Sequence, residues 1–180
     1  IYIYININSV RYKLTELKPL VHKLQPIAFA IAETKVDNSF PNGHFYIDGY
    51  HPPYRKDRNA SGGGLLCYIR SDIPCRQLDY STDNIESISV ELHLKKTPWF
   101  LSTVYKSPGK VSDQSFTSDM EYLAEKATSQ YDNLLFLGDM NYDILAQEKP
   151  KPLTDFMDLF AFTNLIKEPT FVSHHRISGG

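Results

Sequence analysis

The chain has 180 residues, a length that fits one domain with a substantial buried core. Its 42% apolar and 13% aromatic content exclude a disordered chain, and no apolar run approaches the roughly 20 residues that cross a bilayer. A net charge of -2 gives no support to nucleic-acid binding, since a pure backbone binder is usually basic, but it is compatible with an enzyme whose site charge is supplied by a divalent ion.

Ile1 to Ile7 alternates Ile with Tyr and Asn, which predicts a strand rather than a signal peptide. Leu14, Leu17, Val21 and Leu24 recur at helical spacing, and Pro26 ends that helix. Ile27 to Ala32 is almost wholly apolar, the pattern of a strand buried on both faces, and it stops at Glu33. The middle is β-rich: Phe45-Tyr46-Ile47, Leu65 to Ile69, Ile85 to Leu94 and Trp99 to Tyr105 are separated by turn signals, which predicts antiparallel pairing. The two cysteines, Cys67 and Cys75, fall in or beside strands and read as buried free thiols. Phe116, Met120, Leu123 and Ala127 mark a helix, and Leu134 to Leu137 a buried strand closed by Gly138-Asp139-Met140-Asn141. Leu153, Phe156, Met157 and Phe160 form a last short helix with Pro152 in its first turn, and Pro169 to Val172 reads as a strand. Strands in mixed order with helices between them predict an α/β fold, a four-layer sandwich of two facing sheets, with no domain boundary inside the chain.

In α/β folds ligands gather outside strand ends, so polar residues closing apolar strands are candidate site residues. Three places qualify: Asn6-Ile7-Asn8, Glu33-Thr34, and Asp139-Met140-Asn141. Any one of them alone is better explained as a turn former or a helix cap.

Taken in order, they resemble the endonuclease/exonuclease/phosphatase superfamily, which includes DNase I, and above all the endonuclease domains of LINE-type (non-LTR) retrotransposon polyproteins. The resemblance is carried by Asn6, by Ile31-Ala32-Glu33-Thr34, and by Gly49-Tyr50 with Arg55-Lys56-Asp57-Arg58 and Gly62-Gly63-Gly64. Val104-Tyr105-Lys106-Ser107-Pro108, Gly138 to Asn141, and Leu165 to Thr170 complete it, so that it covers essentially residues 1–180. It implies a DNase I-like four-layer sandwich and a Mg²⁺-dependent (or Mn²⁺-dependent) endonuclease that nicks DNA to leave a 3′-hydroxyl. Glu33 would be the principal metal carboxylate with Asn6 beside it, and Asp139 would act on the attacking water. Asn141 and Tyr105 would hydrogen-bond the scissile phosphate, with Asn8 and Thr170 as further substrate-side positions. The implied partners are DNA and a reverse-transcriptase domain C-terminal in the same polyprotein, with no membrane; the implied localisation is intracellular with nuclear access.

The same superfamily includes phosphoesterases acting on inositol phosphates and phospholipids, and a catalytically dead nucleic-acid-binding remnant is a further alternative. Family members finish with a strand Asp and a Ser-Asp-His; neither occurs in the 180 residues. The domain is therefore expected to lack its last strands, and this stretch alone to be weak or inactive. His174 and His175 follow Thr170 where the family has a variable turn, so they read as exposed loop residues. Gly62 to Gly64 lacks a P-loop Lys and enters a strand, which favours a tight turn over a phosphate cradle. Arg55, Lys56 and Arg58 with Tyr54 fit either a contact to the DNA backbone or a solvated hairpin tip.

Overall fold

The computed structural model describes residues 1–168 and residue 170. The chain falls into two compact units, Ile1–Asn141 and Tyr142–Gly180.

The first unit opens with β1 (Tyr2–Asn6), α1 (Leu14–Leu24) and β2 (Ala28–Ala32). β1 and β2 are parallel, and α1 is the crossover that such pairing requires. The helix stops where Gln25 turns left-handed (φ 44°) and returns its N–H to Val21 O at 2.9 Å, with Pro26 barring continuation. β3 (Tyr54–Lys56) and β4 (Leu65–Ile69) complete a four-stranded sheet in the order β1-β2-β4-β3. A second sheet, in the order β5-β6-β7-β8, comprises β5 (Cys75–Leu78), β6 (Glu86–Leu94), β7 (Thr97–Tyr105) and β8 (Leu134–Asp139). α2 (Asp113–Thr128) is the crossover between parallel β7 and β8, and Ser112 caps it by accepting the Ser115 N–H at 3.1 Å.

Period-two alternation decides which side chains fill which layer. Phe29, Ile31, Leu66 and Tyr68 face α1 and pack on Leu14 and Val21. Their neighbours Ala28, Ala32, Leu65, Cys67 and Ile69 face the other sheet and meet Ile88, Val90, Leu92 and Leu101. On the far side of that second sheet, Leu78, Phe100 and Tyr131 pack with Ala127 of α2. Helix, sheet, sheet, helix is the four-layer sandwich expected from the sequence. Each fully buried Leu or Ile contributes on the order of 1.5–3 kcal/mol, so both faces of both sheets stabilise the unit.

Three expectations are corrected. Phe45-Tyr46-Ile47 is not a strand: Asn42–Phe45 is a 3₁₀ turn, and Phe45 and Ile47 are buried against the α1 side of the first sheet. The Phe45 carbonyl there accepts the Tyr68 hydroxyl at 2.8 Å instead of a ladder hydrogen bond. β3 and β5 were not anticipated; they have three and four residues, too few for alternation to register. Both cysteines are free, but only Cys67 is buried, and burial pushes its thiol up to about 12; Cys75 is half-buried.

The second unit contains α3 (Lys151–Leu159), with Pro152 in its first turn, and the ring cluster Phe156, Phe160 and Phe162. Thr170 is an exposed bend. The remainder of the strand expected over 169–172, and His174 and His175, lie outside the described residues. Among the described residues no helix is long and apolar enough to cross a membrane.

Candidate active site

Both sheets carry rows of apolar side chains into the layer between them, and at one end several of these rows finish in a polar residue. Asn6 continues the row of Tyr2 and Tyr4, and Asp139 that of Leu135 and Leu137. Tyr105 follows Leu101 and Thr103, and Glu86 precedes Ile88 and Val90. Ladder pairing brings these ends level. Asn6 is opposite Ala32, so Glu33 emerges just beyond it, while Tyr105 is opposite both Asp139 and Glu86.

Hydrogen bonds join the sheets there, two of them between candidate site residues. Asn6 Nδ2 donates to Asp139 Oδ2 at 3.1 Å, and the Tyr105 hydroxyl donates to Glu33 Oε1. Asp139 Oδ1 accepts the Asn141 N–H at 3.1 Å, and Asn141 Nδ2 reaches Lys106 O at 2.7 Å. Gly138 allows this close approach, because a Cβ added to it would lie 2.1 Å from Val104 O. The Lys35 ammonium is 3.5 Å from Glu33 Oε2 and donates to Asn8 Oδ1. Burial raises the pKa of Tyr105, and its hydrogen bond to Glu33 and the carboxylate charge raise it further. Tyr105 is therefore a neutral phenol at physiological pH, able to donate.

The backbone at these strand ends is strained. Asn8, Ser9, Glu33, Lys35 and Asn141 all hold positive φ, at 50°, 90°, 55°, 53° and 51°. For residues other than glycine this costs on the order of 1 kcal/mol or more each, and it persists only where surrounding contacts over-determine it.

The structure thus brings together Asn6, Asn8, Glu33, Tyr105, Asp139 and Asn141. It does not bring Arg55 to this cluster. That guanidinium pairs with Asp57 at 2.6 Å, donates to Phe40 O, Asn42 Oδ1 and Asp37 O, and stacks 4.6 Å over the Phe45 ring. Arg58 does border the cluster: with Ser107 and Lys110 it lines a polar cavity of about 200 Å³ that also touches Glu33 and Tyr105. Its guanidinium pairs with Glu86 at 2.8 Å. The tight turn expected over Gly62–Gly64 falls instead on Ala60 and Ser61, closed by the Asn59–Gly62 bridge; Gly63 and Gly64, at φ 67° and 92°, lead from it into β4. Thr170 lies in the second unit.

Glu86, Lys35 and Ser107 escaped the sequence reading. Glu86 had a signal: two residues before Ile88 and four before Val90, it sits in register with residues that must face the core. Burial raises its pKa, opposed by the Gly64 N–H and then by the charge of Arg58. A wider groove of about 520 Å³ lies at the other end of β6, bordered by Ile73, His93, Lys95 and Lys96, and holds none of the clustered residues.

Glu33, Asp139 and the Asn6 amide form an all-oxygen donor set with two carboxylates. Among the described residues no three His, Cys, Asp or Glu side chains gather as a metal cage. Such a set fits Mg²⁺ or Mn²⁺, hard ions that retain waters and need only one or two carboxylates, better than a soft ion such as Zn²⁺.

No family model and no curated protein matches the chain, but solved structures do. The endonuclease domain of TRAS1, a telomere-specific non-LTR retrotransposon, matches with a TM-score of 0.65 at 15% identity, over 88% of this chain and 68% of that one. AP endonuclease LMAP from Leishmania major gives 0.64 at 15% identity, over 88% and 66%. The 3′-5′ exonuclease NExo from Neisseria meningitidis gives 0.62 at 19% identity, over 87% and 70%. At these identities what is shared is the fold, the one that these endonuclease and exonuclease structures have. The chain spans about two thirds of the length of each.

Proposed function

We propose that the chain provides most of the active site of a metal-dependent phosphodiesterase, a DNA-nicking endonuclease of the kind carried by non-LTR retrotransposons. The observation that carries this reading is the junction of the two sheets through Asn6–Asp139 and Tyr105–Glu33, which gathers carboxylate, amide and phenol at one strand end.

Held by Glu33 and Asn6, Mg²⁺ or Mn²⁺ would supply positive charge to the oxygens of a scissile phosphate. Asp139 is fixed by one donor on each oxygen, which leaves lone pairs to orient a water and accept its proton. Tyr105 and Asn141 are donors close to these carboxylates and suit the charge that develops on the phosphate. A nick leaving a 3′-hydroxyl is the product that a reverse transcriptase elsewhere in the same polyprotein would extend.

The test uses the protein at its full natural length and supercoiled plasmid. Mg²⁺-dependent relaxation is expected, with chelation stopping it and Glu33→Ala or Asp139→Ala each lowering it at least about 100-fold. A polymerase should extend the nicked product without end repair. Full activity in both variants would sink the assignment, as would hydrolysis of inositol phosphates with no nicking of DNA.

A further inference from the structure

The sequence shows an Arg-x-Asp-Arg stretch, a run of three glycines, and a carboxylate on a core-facing strand row, and the structure gives these one purpose. Glu86 is 9% exposed; its Oε2 accepts the Gly64 N–H, and its Oε1 is 2.8 Å from Arg58 Nη1. Arg58 Nε donates to Gly62 O at 2.9 Å, and Nη1 also reaches Ser107 Oγ. The ion pair therefore grips both ends of Gly62–Gly64. It also passes so close beneath the segment that a Cβ on Gly63 would lie 2.3 Å from both Arg58 and Glu86 side-chain atoms. Glycine is needed there for space as well as for its φ of 67°.

The segment in its place holds Glu33. Gly64 O accepts the Thr34 N–H at 3.3 Å, and Gly63 O accepts the Lys35 N–H at 3.0 Å. On the other side, the Glu33 carbonyl accepts the Ser9 N–H at 2.7 Å, and the Thr34 carbonyl accepts the Val10 N–H at 3.0 Å. The left-handed backbone of Glu33 is thus clamped between two loops, and one of those loops is itself fixed by the ion pair. Without that clamp a glutamate has no reason to stay at φ 55°.

We propose that Glu86 and Arg58 are positioning residues: a partly buried ion pair that acts through the Gly62–Gly64 segment to aim the Glu33 carboxylate. The consequence for Glu33 rests on the functional reading above; the clamp itself does not. A buried carboxylate paired with a half-buried guanidinium suits this task because each holds one end of the segment by a directional, charge-assisted bond, which an apolar contact cannot do.

The experiment reads the two levels separately. Glu86→Gln preserves size and an acceptor for the Gly64 N–H but removes the charge facing Arg58; Arg58→Lys keeps the charge and loses the fork. NMR amide exchange is expected to quicken about tenfold or more at Thr34 and Lys35 in Glu86→Gln, while amides of Met120 and Leu123 in α2 hold their protection. Mn²⁺ affinity, followed by water-proton relaxation, should fall about three- to tenfold, and kcat should fall with little change in KM. Arg58→Lys should recover part of each loss that Arg58→Met shows. Should Glu86→Gln fail to fold, Gly63→Ala opens the same segment by crowding and must reproduce the local exchange. Unchanged exchange at Thr34 and Lys35 in Glu86→Gln and Arg58→Met overturns the clamp. Faster exchange with unchanged Mn²⁺ affinity overturns the aiming of Glu33. Mn²⁺ binding that survives Glu33→Ala counts against the functional reading and leaves the exchange result standing.

Discussion

Strand β6 carries a carboxylate near each end, and the two ends are built on opposite principles. Near one end, Glu91 is saturated: Arg76 forks onto it at 2.6 and 3.2 Å, the Tyr131 hydroxyl donates at 2.6 Å, and His93 Nε2 lies 2.9 Å away. Those partners, Arg76 first and then Tyr131, hold its carboxyl down at about 2. At the other end, Glu33 and Asp139 have between them one side-chain amide, the backbone N–H of Asn141, one phenol and a distant ammonium, and Glu33 and Asn141 stand on strained backbone. Positive φ occurs near Glu91 as well, but Lys95 and Lys96 are the two-residue turn of the β6–β7 hairpin, where such angles match the twist of the strands. Gln25 holds its positive φ as a helix terminus. No hairpin or helix end accounts for Glu33 or Asn141. Among the described residues, a complete network on ordinary backbone builds the fold at one end, and a sparser one on strained backbone marks the end proposed as the site.

The sharpest way to break that contrast is to remove one carboxylate from each end. Asp139→Ala should lower plasmid nicking by about 1,000-fold while moving the urea stability by no more than about 1 kcal/mol in either direction. Glu91→Ala should do the reverse, losing about 1–2 kcal/mol of stability and leaving nicking at 25 °C within twofold. If Glu91→Ala is the more damaging of the two for nicking, the division between the ends is wrong.

Tyr105→Phe sharpens the contrast with a smaller effect. The ring remains to fill the layer between the sheets, and only a donor to a charged oxygen is lost. Such a bond to the phosphate is worth about 1.5–3 kcal/mol, so nicking should slow by roughly 10- to 100-fold. Tyr131→Phe, the matching change at the Glu91 end, should cost stability and spare activity. Equal losses of activity in the two variants would erase the distinction.

Much of this is legible in the sequence. The strand-end polar residues Asn6, Glu33 and Asp139 stood out because apolar runs stop at them abruptly, and the layer order followed from strand and helix periodicity. What stayed hidden was partnership across the fold. Glu86 was written into the alternation of β6, yet nothing local shows that Arg58 comes back to meet it. Arg55 looks like a surface charge until Asp57, two residues on, is seen to turn inward with it. Phe45 and Ile47 carry strong strand propensity, but their burial against the helix-facing side of a sheet outweighs it, and propensity yields to packing. The short strands β3 and β5 exist because β4 and β6 offer them an edge, which is a tertiary cause.

The smallest effect isolates the Glu91 end alone. Its carboxyl titrates at about 2 when folded, against 4.5 as the reference value. The folded state thus binds the proton more weakly, so the network's contribution is fully present above about pH 4.5 and is lost as pH falls through that interval towards 2. Arg76 is largely exposed, and solvent screens the pair, so the contribution is roughly 1–2 kcal/mol rather than the full linkage value. Glu91→Gln should accordingly be less stable than wild type at pH 6 by about that amount, and the two should converge near pH 2. Urea midpoints across that pH range, read by tyrosine and tryptophan fluorescence, check it. Curves that stay parallel down to pH 2 would mean that Glu91 is not held by charge, and that the saturated end is no different in kind from the site.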